Sequence, residues 1–451
     1  EDVDLAVRAA NAAQDVWRNT YVGKRAEILI RVSQLIAGHF DELVALETAQ
    51  YGGPVMKTSR FDIPAAIGEF ELMAGLGRSH TGLTISANPS ARVMTFREPL
   101  GTVGLITPWN FPLVTAVSKL APALICGNTV VLKPASCAPL TVLKMAEYCA
   151  EAGFPDGVVN ILTGPGSEVG EAMVTHPGIA KINFTGDSEV GKRIMSLAAP
   201  LVKPVASELG GKNAFVVLDD AELDAAVECA AYASFFNSGQ NCGSPSRFYV
   251  HESVYDEFTA KFVAAADKIT VGDPSDPRTM MGPLAYAKCR ETAEKFVADA
   301  ISGGAKALLR RELPAELERG AYVMPTILEF ADNSAPFMRE EIFAPCVGIV
   351  RVRSDSEAAA LVNDCKYGLC ASVWSRDFRR AMLLTEKLRV GTAWVNQHLE
   401  IVPETPWGGQ KESGWTKENS VLVLDEYTYH KHLWLNMDEK PHTFWEAQLA
   451  D

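Results

Sequence analysis

Residues 179–193 read IAKINFTGDSEVGKR, an apolar run that stops at a glycine and continues with helical spacing. The pattern predicts a strand that turns at Gly186 into a helix. Gly186, Gly191 and Lys192 fit a phosphate-binding loop of the form G-x-x-x-x-G-K-[ST], but Arg193 stands where the Mg²⁺-binding hydroxyl belongs. No partner acid motif follows, which sets a nucleoside triphosphatase aside. What remains is either an accidental match or a strand-to-helix turn, where a helix N-terminus can face a phosphate. Gly186 then allows close approach of the ligand, Gly191 lets the helix pack on the sheet, and Lys192 is an ordinary helix residue.

The same alternation surrounds this turn. TVGLI (102–106), TVVLK (129–133) and VVNIL (158–162) are short apolar runs, each followed by helical spacing, as in PLVTAVSKLAPALICG and TVLKMAEYCAEAG. Such runs predict a parallel sheet covered on both faces, with ligands at the carboxyl ends of its strands. NAFVVL (213–218), RFYV (247–250), FAPCVGIVRV (343–352), CASVWS (370–375) and GTAWVN (391–396) predict a second α/β domain. Residues 1–80 read as helices punctuated by Gly52 and Gly53. LTISANPSARVMTFRE (83–98) reads as two β segments around a turn. EYTYHKHLWLN (426–436) alternates like an edge strand that pairs with the 83–98 hairpin of its own chain or of a partner.

A chain of 451 residues is too long for one ordinary core. Its 47% apolar and 22% charged residues suit a water-soluble globular protein. A net charge of −14 argues against nucleic acid and anionic membranes as partners. No run approaches the roughly 20 apolar residues needed to span a bilayer. The first residues, EDVDLAVRAANAAQDVW, carry an amphipathic helix pattern rather than that of a signal peptide. The nine cysteines are odd in number and lack CxxC spacing, which disfavours a disulfide framework or a zinc site. A reduced, cytoplasmic setting is expected, with most thiols acting as small buried hydrophobes, and no metal.

Several positions invite chemistry. Cys242, in FFNSGQNCGSPSR (235–247), has Gly239 and Gly243 close by and is either a nucleophile or a structural thiol. Glu208, in SELGGKN (207–213), reads as lying between a helix and a strand. It is either a general base in an apolar site or a solvated helix-end carboxylate. Asn110, in TPWNFP (107–112), is an oxyanion donor or a turn residue. Lys133 and Ser136, in LKPAS (132–136), either reach a nucleotide or lie on the surface. Glu341, in REEIFAP (339–345), and an exposed Trp407, in NQHLEIVPETPWGGQKESG (396–414), are weaker candidates.

TPWNFP, KPAS, FTGDSEVG, ELGGK, GQNC, EEIFAP and PWGGQKESG occur in that order, and Glu208 and Cys242 lie 34 positions apart. In this the chain resembles the aldehyde dehydrogenase superfamily, over about residues 1–436. The resemblance implies an α/β fold with a Rossmann-like cofactor domain (1–80 and 100–211) and a catalytic α/β domain (212–411). It also implies a small β oligomerisation element (81–99 and 421–437) and a C-terminal tail (438–451). It implies an NAD(P)-dependent enzyme that oxidises an aldehyde to its acid. Cys242 would be the nucleophile, Asn110 the oxyanion donor together with the Cys242 N–H, and Glu208 the base that activates water.

Cofactor contacts are expected from Ile106, Thr107, Trp109, Lys133, Ser136, Gly166, Gly170, Phe184, Gly186, Asp187, Leu209, Glu341 and Phe343. Phe111, Ser118, Asn241, Gly243 and Trp407 are expected around the substrate, with Glu400 and Glu404 at the mouth. Carboxylates beside an aromatic wall suit a cationic aminoaldehyde of the betaine-aldehyde type; an aromatic or medium aliphatic aldehyde is the alternative. Ser136 stands where NAD-preferring relatives often have glutamate, and Asp187 where serine is common. NAD or NADP is therefore expected, with NAD favoured. The competing functions are a CoA-acylating dehydrogenase, against which Glu208 argues, and a non-catalytic protein on the same fold. A homodimer or homotetramer is expected.

Overall fold

A computed structural model describes residues 1–441, 443 and 445, so most of the expected tail 438–451 lies outside the described residues. The N-terminal region is helical, with helices Asp2–Arg18, Val22–Gly38, Phe40–Tyr51 and Ile63–Leu76. The third helix ends at Gly52, whose φ of 87° is left-handed. A Cβ there would also lie 2.5 Å from the Pro283 ring, so glycine is required twice over.

Strands Thr102–Ile106, Thr129–Lys133, Val159–Ile161, Lys181–Thr185 and Val205–Glu208 form one five-stranded sheet, parallel throughout. Thr102–Ile106 sits at its centre. The chain builds outward on one side through Thr129–Lys133 and Val159–Ile161, then crosses to Lys181–Thr185 and Val205–Glu208. The order of strands thus reverses between Thr102–Ile106 and Lys181–Thr185, and a crevice opens beyond their carboxyl ends. Ile106 is in register with both Lys133 and Phe184, and Thr185 with Glu208, so these residues share one edge of the sheet. TVGLI and TVVLK are buried along their whole length, as their unbroken apolar character requires.

The second sheet has seven strands in the order Lys306–Arg310, Thr326–Phe330, Cys346–Val352, Pro245–His251, Asn213–Val217, Cys370–Trp374 and Thr392–Val395. Only the first pairing is antiparallel. A third sheet joins Thr84–Ile85, Ala91–Pro99 and Thr428–Asn436. The last strand pairs antiparallel with Ala91–Pro99 over its full length, so the edge strand finds its partner within its own chain.

Three sequence expectations are corrected. SELGGKN does not follow a helix: Glu208 closes the strand Val205–Glu208, whose four residues are too short a run to stand out. Only four of the nine cysteines (Cys126, Cys149, Cys346 and Cys370) are fully buried, and Cys137 is exposed. Trp407 is buried, because its loop folds back over the turn that carries Cys242; the exposed tryptophan of that segment is Trp415. Among the described residues no helix is long and apolar enough to cross a membrane, and no three His, Cys, Asp or Glu side chains gather as a metal site.

Candidate active site

The helix Leu223–Phe235 runs into a 3₁₀ turn, Phe236–Gly239, in which Asn237 and Ser238 take positive φ. This turn swings the chain into the tight segment Gln240–Ser244 and aims Cys242 at a cavity of about 100 Å³. Cys242, in the turn before the strand Pro245–His251, and Glu208, at the end of the strand Val205–Glu208, both line that cavity. Its walls include Phe61, Phe111, Tyr232, Phe236 and Trp407, with Ser118, Asn241 and Leu209 between them.

Burial raises the Cys242 thiol to about 12, and the charges of Glu208 and Glu341 push it the same way. The N–H groups of Gly243 and of Cys242 itself pull against this. Glu208 is 3% exposed, and neither carboxylate oxygen has a hydrogen-bonded partner. Burial therefore holds its pKa well above the usual carboxylate range, opposed in smaller measure by Lys119, Lys417 and the nearby Gly409 N–H, which stops short of hydrogen-bond geometry. A Cβ on Gly408 would lie 2.7 Å from Glu208 Oε1, so glycine makes room for the carboxylate there.

Asn110 is buried beside the nucleophile turn, and its Nδ2 donates to the Gln240 carbonyl at 3.0 Å. An amide nitrogen has two protons, so one remains for a ligand. Lys57, fully enclosed, pairs with Asp62 and reaches the Asn110 carbonyl at 3.4 Å, while its Nζ lies 4.1 Å from the Phe111 ring centre. Asn237 Nδ2 donates to the same carbonyl at 3.0 Å.

The expected cofactor residues collect at the carboxyl edge of the five-stranded sheet. Ile106 and Thr107 end the central strand, and the buried Thr107 Oγ1 has no partner. A Cβ on Gly170 would touch Lys133 Cδ and Ile106 Cδ1 at 3.9 and 4.0 Å. Lys133 Nζ donates to the Pro134 carbonyl, and Ser136 Oγ to the Gly164 carbonyl at 2.7 Å. Gly166 is exposed, with open space where a Cβ would stand. A Cβ on Gly186 would meet the Phe184 ring at 2.5 Å, and one on Gly191 would meet Leu209 at 2.5 Å. Glu341 Oε1 accepts from the Gly211 N–H at 2.9 Å, and burial raises its carboxyl to about 7. Phe343, at positive φ, stands edge-on to Trp109 with ring centres 5.6 Å apart.

Asp187 is the N-cap of helix Ser188–Ala198; its Oδ1 accepts from the N–H groups of Glu189 and Val190. The carboxylate thus satisfies its own helix and consumes two of the donors a phosphate would otherwise find there. Lys192 pairs with Glu189 and Glu412, as expected of an ordinary helix residue.

Two site residues escaped the sequence reading. Lys119, fully buried, forms an ion pair with Glu418 and donates to Asn183 Oδ1 at 3.0 Å. Burial lowers the Lys119 ammonium to about 7, opposed in smaller measure by the charges of Glu208 and Cys242. A lone lysine inside the apolar helix Pro112–Ile125 was the available signal; Glu418, in a polar stretch, offered none. The segment around Trp407 is stapled to both halves of the site. Trp407 and Glu418 exchange backbone hydrogen bonds, Ser413 Oγ donates to the Gly210 carbonyl, and Leu209 N–H donates to the Ser413 carbonyl.

This geometry has relatives. A betaine aldehyde dehydrogenase of Bacillus subtilis (strain 168) is 38% identical over 441 residues, covering 97% of this chain and 90% of that protein. The crystal structure of PnpE from Pseudomonas sp. WBC-3 in complex with nicotinamide adenine dinucleotide superposes with a TM-score of 0.95 at 36% identity, covering 97% of this chain and 90% of that one. A betaine aldehyde dehydrogenase of Staphylococcus aureus, solved with NAD+, gives 0.95 at 34% identity, covering 98% and 88%. The sequence profile of the aldehyde dehydrogenase family matches residues 1–433. With a thiol and a carboxylate lining one cavity and a match along nearly its whole length, the chain belongs to the aldehyde dehydrogenase family.

Proposed function

We propose that this protein oxidises an aldehyde to its carboxylic acid, with Cys242 as nucleophile, Asn110 as oxyanion donor and Glu208 as general base. The observation that carries these roles is that Cys242, on its turn, and Glu208, at a strand end, face one small cavity with the Asn110 amide beside the nucleophile turn. The Cys242 sulfur adds to the aldehyde carbonyl. The free Asn110 proton and the Cys242 N–H meet the oxyanion, a pair of donors held in place before the substrate arrives. Hydride loss leaves a thioester on Cys242. Glu208, unpaired and dehydrated, then takes a proton from water as that water attacks the thioester and releases the acid.

NAD(P) fits the residues present. The orphaned Thr107 hydroxyl, the close approach of Gly170 to Lys133 and Ile106, and the buried Glu341 carboxylate support a dinucleotide at the carboxyl edge of the sheet. Lys133 and Ser136 would hold its adenosine end, Glu341 and Phe343 its nicotinamide end, and Gly186 would pass its pyrophosphate. When bound, the nicotinamide would supply a hydride-accepting carbon. NAD is favoured because the relatives solved with a cofactor hold it. Among substrates, a cationic aminoaldehyde is supported by the aromatic walls, by Glu400 close enough to raise the Tyr232 phenol, and by the two betaine aldehyde dehydrogenases above.

The domain division stated above is supported by the separate sheets. A homo-oligomer is supported by the open edge strand Thr428–Asn436 and by the exposure of Phe96, Trp434 and Leu435 around it. A reduced, cytoplasmic setting agrees with nine free thiols. Absorbance of reduced cofactor, read with NAD or NADP across amino, aryl and alkyl aldehydes, tests activity, cofactor and substrate together. Silence across the panel would overturn the reading, and acyl-CoA formed with free CoA would replace Glu208's water by a thiol acceptor.

A further inference from the structure

The turn that carries Cys242 is held by side chains through its carbonyls. Asn110 and Asn237 donate to the Gln240 carbonyl. Asn213 Nδ2 donates to those of Cys242, at 2.6 Å, and Ser244, at 3.0 Å. The Gly243 carbonyl faces His398 Nε2 at 3.0 Å and Cys370 Sγ at 3.4 Å. Cys370 and Ser372 lie two residues apart on one strand and so share a face. Ser372 Oγ sits 2.8 Å from His398 Nδ1.

The chemistry of these partners fixes the tautomer. A carbonyl only accepts, so Nε2 carries the proton, and Nδ1 accepts from the Ser372 hydroxyl. The ring is 1% exposed and packs against Trp394 and Phe215, with centres 4.9 and 5.8 Å away. Burial lowers its pKa to about 4, so it stays neutral through the physiological range. Asn396 and Leu399, on either side, take positive φ as the chain doubles back. The same loop contributes Leu399, Ile401 and Trp407 to the cavity wall. Leu399 and Trp407 close over Gly243, where a Cβ would lie 2.9 and 3.0 Å from them.

We propose that His398 is a positioning residue: as a neutral Nε2–H donor to the Gly243 carbonyl, it holds the Gly243–Ser244 peptide, fixes the turn at Gly243 and ties the substrate loop to the nucleophile turn. The reason lies at Gly243. Its N–H donates to Asn241 Oδ1 at 2.9 Å and lies close enough to the sulfur to favour the thiolate. Without a side chain, this residue turns freely once its carbonyl is released. Loss of the His398 bond lets Gly243 rotate against the Asn241 contact and draws its N–H off the sulfur, and the thiol becomes harder to ionise beside the carboxylates Glu208 and Glu341, with Lys119 the opposing cation.

The inference rests on Cys242 being the nucleophile. The test compares His398→Phe, which keeps a ring and loses both nitrogens, with His398→Gln, which keeps an N–H donor. The full-length protein is labelled with iodoacetamide across pH 6–10, and modification of Cys242 is followed by mass spectrometry, with exposed Cys137 as internal reference. In His398→Phe, Cys242 labelling and the first-turnover burst of reduced cofactor should fall about tenfold to a hundredfold, the thiol titration should move up, and Cys137 should be unchanged. His398→Gln should recover most of this. Wild-type Cys242 labelling in His398→Phe, or equal losses in both variants, overturns the proposal. Should His398→Phe not fold, Ser372→Ala frees the tautomer and must shift the titration in the same direction, or the idea fails. Full activity in Cys242→Ala would instead overturn the nucleophile assignment, separately from the His398 result.

Discussion

Glu208→Gln separates the two halves of the reaction. The substitution is nearly isosteric, and the carboxylate oxygens have no hydrogen-bonded partner to lose, so the surrounding structure should persist. What disappears is the base. General-base catalysis contributes about 10²–10⁴ in rate, or roughly 3–5 kcal/mol of barrier. Stopped-flow absorbance should show one equivalent of reduced cofactor per active subunit at the wild-type rate, followed by turnover slowed by that factor. In the wild type, deacylation should accelerate as pH rises, because burial raises Glu208 above its ordinary 4.5 and the base works only when ionised.

Stability should move the opposite way. A group whose folded pKa is raised contributes stability that is whole below its unfolded value and is lost as pH rises through the folded value. The variant lacks this loss. It should therefore melt above the wild type at pH 8 and close to it at pH 4.5, the gap growing by at most about 1.4 kcal/mol per pH unit. Full steady-state turnover in Glu208→Gln, or a burst lost along with turnover, would refute the assignment of Glu208 to the second half-reaction.

Three further outcomes are expected. Asn110→Ala removes one oxyanion donor and should slow the burst by about 10²–10³; an unchanged burst would remove Asn110 from the site. Ser136→Glu places a carboxylate where a 2′-phosphate would lie. Repulsion of roughly 1–4 kcal/mol at about 4 Å should raise the NAD-over-NADP ratio of kcat/KM by about tenfold or more, and an unchanged ratio would place the 2′ position elsewhere. Asp187→Ala removes a helix cap and should cost about 1 kcal/mol in denaturant unfolding. Asp187→Ser should retain most of that stability without weakening either cofactor, and a marked loss of NAD affinity in it would give the carboxylate a direct part in binding.

Much of the architecture was legible in the chain itself. Unbroken apolar runs such as TVGLI and TVVLK can be satisfied only between two covering layers, so their burial followed from composition and period. Glycine spacing in FTGDSEVG marked a strand-to-helix turn, and the order of short motifs marked the family. Cys242, Glu208 and Asn110 stood out because each breaks its local pattern. Tertiary structure decided how these pieces meet. Glu208's strand was too short to declare itself, and its unpaired state depends on what packs around it. Lys119 and Glu418 are 299 residues apart, and their pairing has no local trace. Trp407 was judged from a polar, glycine-rich loop, yet it is buried because that loop closes over the nucleophile turn. Asp187 reads as a charge beside phosphate until its oxygen is seen bonded to its own helix. Local periodicity reports which face of an element is dry, whereas the direction of a polar side chain depends on partners brought together from distant parts of the chain.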